Sequence, residues 1–266
     1  MTLSKPDIGI LTIDIETSPI EAYCWGLWDQ NIGIDFIKTD WTIFSYAAKW
    51  LDGKKVYYGD TGGRGKKRVR DDKALAGEIR TLLDDADIVI AQNGKRFDVR
   101  KINARLIKHG YAPPRPFRVI DTLIAAKKYF AFTSQKLKYT SEFLGAQPKD
   151  EHKNFPGFEL WKECLLDNPA AWAEMKKYNI QDVRSTEEVY LKLRPWIENH
   201  PNIGAYKGSD QALCPKCGSD KLQAQGFKVL QQGRYQRYQC QECAGWSRGK
   251  EMLIPLSVRR KMLVPI

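Results

Sequence analysis

Asp14 and Glu16 stand two residues apart in an otherwise apolar run, ILTIDIET, where a buried strand has little use for charge. At a two-residue period both carboxylates fall on one face, with Ile13 and Ile15 on the other. Paired carboxylates at a buried strand end repel each other and lose solvation, so they take up a cation or protonate. Oxygen ligands of this kind suit Mg²⁺ or Mn²⁺. An exposed edge strand that leaves both residues in water is the competing reading. Asp98 follows a second apolar run, DIVIAQ, within Asn93-Gly94-Lys95-Arg96-Phe97-Asp98, where a lone Asp commonly caps a helix. Tyr178 and Asp182 are four apart and share one helix face, a spacing that ordinary surface hydrogen bonds also use.

A second chemistry belongs to cysteine. Four of the six cysteines form Cys214-Pro-Lys-Cys217 and Cys240-Gln-Glu-Cys243, with 22 residues between the pairs. That spacing fits tetrahedral thiolate coordination of one Zn²⁺, and four thiolates leave no open position for water, so the ion is structural. A disulfide pair is the alternative, disfavoured in a reducing compartment. Cys24 and Cys164 stand alone in apolar or aromatic surroundings and are expected to be buried small hydrophobes.

The elements that position these residues are readable from pattern. Strands are expected at about 7–13, 22–28 and 41–51, with an edge strand at 54–58 and shorter ones at 87–92 and 117–122. Helices are expected at 71–83, 97–109, 136–144 and 158–166, and a long one from the Asp167/Asn168 cap through Pro169 to about Arg194. Asp121 reads as the cap of a helix starting near Leu123. The glycine-rich basic stretch GGRGKKRVR at 62–70 has no apolar period and reads as a mobile surface loop; its Arg64, Lys66, Lys67, Arg68 and Arg70 either contact phosphates or are simply solvated. Strands first and then mixed strand and helix give an α/β or α+β domain of about 200 residues. The expected layout is that domain over 1–200, a polar linker at 201–211, a cysteine module at 212–252 and an apolar, basic tail at 253–266.

The chain carries 43 Lys+Arg against 32 Asp+Glu, a net charge of +11. Of this, residues 205–266 hold 11 basic and 4 acidic residues, so the cysteine-bearing end is the basic part. An anionic partner is expected there. The 42% hydrophobic content excludes a disordered chain, and no apolar run reaches the ~18–20 residues of a membrane span. The first residues lack a signal-peptide pattern, so a cytoplasmic protein with no membrane partner is expected.

Taken in order, D-I-E at 14–16, N-x-x-x-F-D at 93–98 and Y-x-x-x-D at 178–182 resemble the three motifs of the DEDD 3′→5′ exonucleases. The tyrosine variant, similar to the proofreading domain of family B DNA polymerases, fits best, and the match covers roughly residues 7–195. The resemblance implies a ribonuclease H-like mixed sheet with helices on both sides. No polymerase domain follows in this sequence, so the implied protein is a free-standing nuclease. By the same resemblance Asp14, Glu16, Asp98 and Asp182 hold two Mg²⁺ or Mn²⁺ ions, with Asp14 bridging both, and Tyr178 orients the attacking water. Thr17, Asn93 and Phe97 are the implied substrate contacts, although core packing is the plainer reading of Phe97.

The cysteine module resembles a zinc ribbon. Arg234, Tyr235, Arg237, Tyr238, Trp246 and Arg248 interleave charge with stacking surface between and beside its knuckles, with a turn at Gln232-Gly233, which suits single-stranded nucleic acid; ribbons also dock proteins. The expected activity is removal of nucleoside 5′-monophosphates from the 3′ end of DNA, single-stranded ends being favoured. An exoribonuclease, a structure-selective endonuclease and a non-catalytic nucleic-acid scaffold are the alternatives, and nothing in the sequence separates ribose from deoxyribose. A replication or repair protein on the ribbon or tail is a further expected partner.

Overall fold

The computed structural model describes residues 8–146, 152–231 and 233–264. Expectations that touch Asp7, Gln232, Pro265 or Ile266 lie outside these residues. Gly9–Tyr190 forms one compact unit, and Leu191 onward belongs to a second.

The first unit runs β1 (Ile10–Thr17), β2 (Glu21–Ala22), β3 (Ile37–Thr39), β4 (Ile43–Trp50), β5 (Val56–Asp60), α1 (Lys73–Asp85), β6 (Ile88–Ala91), α2 (Asp98–Lys108), β7 (Arg118–Asp121), α3 (Thr122–Tyr129), α4 (Leu137–Phe143), α5 (Glu159–Leu165) and α6 (Pro169–Leu193). Five strands form one sheet in the order β5-β4-β1-β6-β7. β1 pairs antiparallel with β4 and parallel with β6, so it is the central strand and the seam between the two senses. This is the expected mixed α/β sheet of a ribonuclease H-like fold.

Alternation along β1 sends Ile13 and Ile15 to one face, where they pack with Tyr46, Leu75, Ile79, Leu83, Ile102 and Leu106 from β4, α1 and α2. A second core forms from Phe44, Val69, Leu160, Cys164, Trp172 and Met175, with Tyr178 at its margin. α2 is pinned to the sheet by a buried ion pair. Arg105 donates Nε and Nη2 to the Asp72 carboxylate, both at 2.6 Å, while Ile43 N–H donates to Asp72 Oδ2 at 2.8 Å. Burial opposes ionisation of Asp72, but these donors and His109 outweigh it and hold its carboxyl below the usual range.

Three expectations need correction. The stretch 22–28 is a strand only to Ala22; beyond it the chain is irregular to residue 33, and Trp25 is 93% exposed. Its aromatic composition fits a strand, yet among the described residues the β2–β3 ladder ends at Ala22, with one further bond from Tyr23 N–H to Phe36 O. Cys24 lies on this segment and is exposed rather than buried, whereas Cys164 is buried as expected. The 62–70 loop is anchored: Gly63 and Gly65 N–H groups donate to Asp167, Val69 is buried, and Arg70 binds Ser18, Pro19 O, Asp40 O and Glu21. Asp167 is therefore tied to that loop, and Asn168 caps α6 by accepting from Ala170 N–H.

The second unit holds α7 (Ile203–Lys207), β8 (Leu222–Leu230), β9 (Gly233–Cys240), β10 (Trp246–Met252) and α8 (Leu256–Arg259). Its three strands form an antiparallel sheet in the order β10-β9-β8. The polar stretch expected as a linker folds into α7, capped by Asn202 and burying Ile203. Among the described residues no helix is long and apolar enough to cross a membrane.

Candidate active site

The charged pair of β1 lies within the strand rather than past its end. Asp14 is paired with Ala47 and Glu16 with Ser45 on β4, so these four residues share the face opposite Ile13 and Ile15. Two ties hold α6 along β4. Ser45 Oγ donates to Asn179 Oδ1 at 3.0 Å, and Lys49 Nζ donates to both oxygens of Glu187 at 2.7 and 2.8 Å. Four strand residues span about 13 Å, and eight helical residues span about 12 Å, so the two ties are in register. Asp182 lies between them, one turn past Asn179.

This register brings carboxylate oxygens of Asp14, Glu16 and Asp182 within 4.8 Å of one another, with Asp182 buried and the other two half-buried. Asn179 Nδ2 donates to Asp14 Oδ2 at 2.6 Å and to the Asp14 carbonyl at 3.2 Å, fixing that side chain. Beside the trio the β1–β4 pairing slips: Glu16 opposes Ser45, but Thr17 opposes Ile43. Phe44 is the extra residue of this bulge, which turns its ring onto the second core, edge-on to Trp172 at 5.3 Å.

Asp98 does not join the trio. It opens α2, is 1% exposed, and accepts the Ile15 N–H at Oδ1, 3.1 Å away. Ile15 sits between Asp14 and Glu16, so Asp98 braces the strand from beneath the pair. Burial pushes its carboxyl up to about 7; the Ile15 N–H works against that rise and the charge of Asp121 adds to it. Asp121 caps α3 through Leu123 and Ile124 N–H and also accepts from Asn93 and Lys95 N–H. That matches its expected structural role.

Tyr178 lies against Asp182 on α6. Burial, then Asp182, Glu16 and Asp14, push its hydroxyl above the usual range, so it stays protonated near neutral pH. Its ring contacts His152 at 5.2 Å and Trp161 at 6.0 Å. Thr17 ends β1 at the rim of a surface depression of about 400 Å³, shared with Ser18, Pro19, Phe158 and Trp161. Asn93 occupies a left-handed turn at φ 63°, which Asn tolerates, and its carbonyl accepts from Arg96 and Phe97 N–H. Phe97 packs against the first core, with Lys101 Nζ 5.6 Å from its ring centre. Sequence reasoning missed Asn179 and Ser45, and the one available signal was an amide adjacent to Tyr178.

In the second unit the Sγ atoms of Cys214, Cys217, Cys240 and Cys243 lie within 4.8 Å of one another. Cys214–Cys243 and Cys217–Cys240 are each separated by 3.6 Å, too far for a bond between sulfurs. A tetrahedron with metal–sulfur bonds of about 2.3 Å has edges near 3.8 Å, so the cluster fits the Zn²⁺ of a zinc ribbon.

A profile of the RNase_H superfamily matches residues 40–194, more than half of the chain. The chain belongs to the ribonuclease H superfamily. Membership supports a nuclease or metal-dependent hydrolase acting on nucleic acid with divalent ions. The matched span of this ribonuclease H-like chain holds Asp98, Tyr178 and Asp182, while β1 with Asp14 and Glu16 lies ahead of it. Among solved structures it is similar to the family B DNA polymerase from the hyperthermophilic archaeon Pyrobaculum calidifontis, at TM-score 0.51 and 19% identity over 72% of this chain. It spans 25% of that polymerase's length, so the likeness is one of fold to part of a larger protein. Among curated proteins none matches the chain.

Proposed function

We propose that the protein is a metal-dependent 3′→5′ exonuclease of the tyrosine-bearing DEDD type, acting on DNA. The observation that carries this reading is the trio Asp14, Glu16 and Asp182, gathered from the central strand and α6 of a ribonuclease H-like sheet. Three carboxylates so close need cations, and their oxygen-only donor set fits Mg²⁺ or Mn²⁺. When bound, such ions make hydroxide available near neutral pH and offset charge on the leaving oxygen. Asp14, Glu16 and Asp182 hold them, and Asp98 is the fourth ligand, recruited from its place under Ile15.

The chain's own groups do the rest. Asn179 keeps the Asp14 carboxylate turned toward its neighbours. Tyr178 donates its hydroxyl proton as a hydrogen bond to the attacking water; so firmly protonated a phenol positions and does not act as base. Thr17 N–H and hydroxyl meet the terminal nucleotide, whose base fits the depression between Pro19, Phe158 and Trp161. Asn93 and Phe97 remain candidate contacts, as turn former and core neighbour respectively. Four thiolates hold one structural Zn²⁺ in the ribbon, and a replication or repair protein is a proposed partner of the ribbon or tail.

The test is a gel assay on 5′-labelled single-stranded DNA and RNA of one sequence, with Mg²⁺ or Mn²⁺, for wild type and Asp14→Ala. A ladder shortening from the 3′ end, present only in wild type with metal, is expected, with DNA the faster substrate. Equal turnover by Asp14→Ala refutes the site, a faster RNA ladder makes the protein an exoribonuclease, and a single internal cut makes it an endonuclease.

A further inference from the structure

Strands β8, β9 and β10 carry five Lys or Arg and a single Glu. The pairings Trp246↔Gln239 and Arg248↔Arg237 place Tyr235, Arg237, Trp246 and Arg248 on one face of the sheet. On that face the Arg237 guanidinium carbon lies 4.6 Å from the Trp246 ring centre, and that of Arg248 lies 4.3 Å from the Tyr235 ring centre. Each contact is a diagonal between β9 and β10, so ring and guanidinium alternate across the two strands. Lys228 on β8, directly opposite Tyr235, adds a cation to the same face. On the reverse face Arg234 covers Phe227 at 4.8 Å.

Three such contacts fall between residues 227 and 248. The concentration is not explained by ion pairing, because among the described residues no salt bridge reaches Arg234, Arg237 or Arg248. Backbone carbonyls hold two of the guanidinium groups instead: Arg237 Nε donates to Gln225 O at 2.9 Å, and Arg248 Nη1 to Gly249 O at 3.0 Å. Their charge therefore stays uncompensated while their planes are fixed. Trp246 is 42% exposed, and beside it a cleft of about 660 Å³ opens, where Lys216, Arg248 and Lys250 share the lining with Glu198 and Asp210.

A flat, cationic face without acidic partners is costly to cover with apolar protein, since the charges would lose water without gaining counter-ions. It suits a polyanion whose units end in planar rings. We infer that this face binds an unpaired nucleic-acid strand, with bases stacked on Tyr235 and Trp246 and phosphates held by Lys228, Arg237 and Arg248. Bases inside a duplex are already stacked on each other and have no free face to give, so the surface selects single strands. This is a second site, separate from the carboxylates, and it stands whether or not cleavage there is exonucleolytic.

The experiment uses the full chain with zinc bound, in an Asp14→Ala background, and reads fluorescence anisotropy of a labelled 20-nucleotide thymidine strand. Tighter binding of the strand than of a 20-base-pair duplex is expected. Trp246→Ala weakens binding roughly tenfold to a hundredfold, because one stacked base is lost. Joint replacement Arg237→Gln and Arg248→Gln lowers the slope of log affinity against log salt by about 1.4, as two phosphate contacts to a single strand disappear. Val229→Ala, on the reverse face, changes neither. Zinc content and Trp246→Phe, which keeps a ring and binds within a few-fold of the parent, distinguish lost stacking from a lost fold; should Trp246→Ala shed zinc, the arginine pair decides. Unchanged affinity and salt slope in the Trp and Arg variants overturn the inference, as does equal binding of duplex and strand, or displacement of the strand by polyglutamate of equal charge. Metal-dependent cleavage of a labelled strand by the chain with native Asp14 is read in a separate assay, so failure of the nuclease reading and failure of this site are told apart.

Discussion

Replacing Asp98 by Asn should make the Mg²⁺-free protein more stable at pH 8, and by a much smaller margin at pH 5. The folded carboxyl titrates near 7, raised chiefly by burial, against an ordinary value of 3.8. Between those values the folded state retains a proton that the unfolded chain has released, so stability from this group is complete below about pH 4 and is lost as pH rises through 7. The full difference corresponds to about 4 kcal/mol, of which about 3 kcal/mol falls between pH 5 and pH 8. Asn is uncharged at every pH and its Oδ1 can still accept the Ile15 N–H, so it mimics the protonated acid.

For a unit of this size each kcal/mol moves the melting temperature by about 2–4 °C, so the variant should melt roughly 8–16 °C above wild type at pH 8 and only roughly 3–6 °C above it at pH 5. Differential scanning fluorimetry of the two proteins in buffer free of Mg²⁺ and Mn²⁺, from pH 5 to 8.5, reads the gap directly. Other titrating groups are common to both chains and cancel. Adding Mg²⁺ at pH 8 should then raise wild type more than the variant, because the ion compensates the carboxylate that Asn lacks. A gap that stays constant across this range would refute the assignment of a neutral, buried Asp98 at the foot of β1.

Four further outcomes follow from the same geometry. Asn179→Ala removes a hydrogen bond to the charged Asp14 carboxylate, a contact of about 1.5–3 kcal/mol; it should lower turnover by tenfold or more and raise the Mg²⁺ concentration needed for half-maximal rate. Tyr178→Phe should slow turnover with its pH profile below pH 10 unchanged, and a lost alkaline limb would show the phenol acting as a base after all. Lys49→Met leaves Glu187 without its partner and should cost about 3 kcal/mol in urea unfolding, most of it restored by adding Glu187→Leu. With zinc bound, one thiol per chain, Cys24, should react rapidly with a thiol reagent while Cys164 stays protected; release of zinc should expose four more, detectable with a metallochromic dye.

The residues that carry charge were readable in the sequence because each violates its surroundings. Asp14 and Glu16 break an apolar strand, and the two cysteine pairs have a spacing that few other roles demand. The period of a strand tells which face a side chain takes but not what lies across from it, and this is where reading by pattern stopped. Ser45 and Asn179 are separated by 134 positions, and only the packing of α6 on β4 makes them one device holding Asp14. The aromatic run after Ala22 failed for the same reason in reverse: its residues suit a strand, but strand formation needs a partner edge, and among the described residues none pairs beyond Ala22, so Cys24 and Trp25 stay in solvent. Asp98 shows the limit most clearly. Its motif position puts it with the other carboxylates, whereas burial raises its carboxyl to about 7, so that it keeps its proton below neutral pH until a cation changes the balance. Composition can nominate a metal ligand; whether that ligand is ionised before the metal arrives is decided by the depth at which the fold buries it.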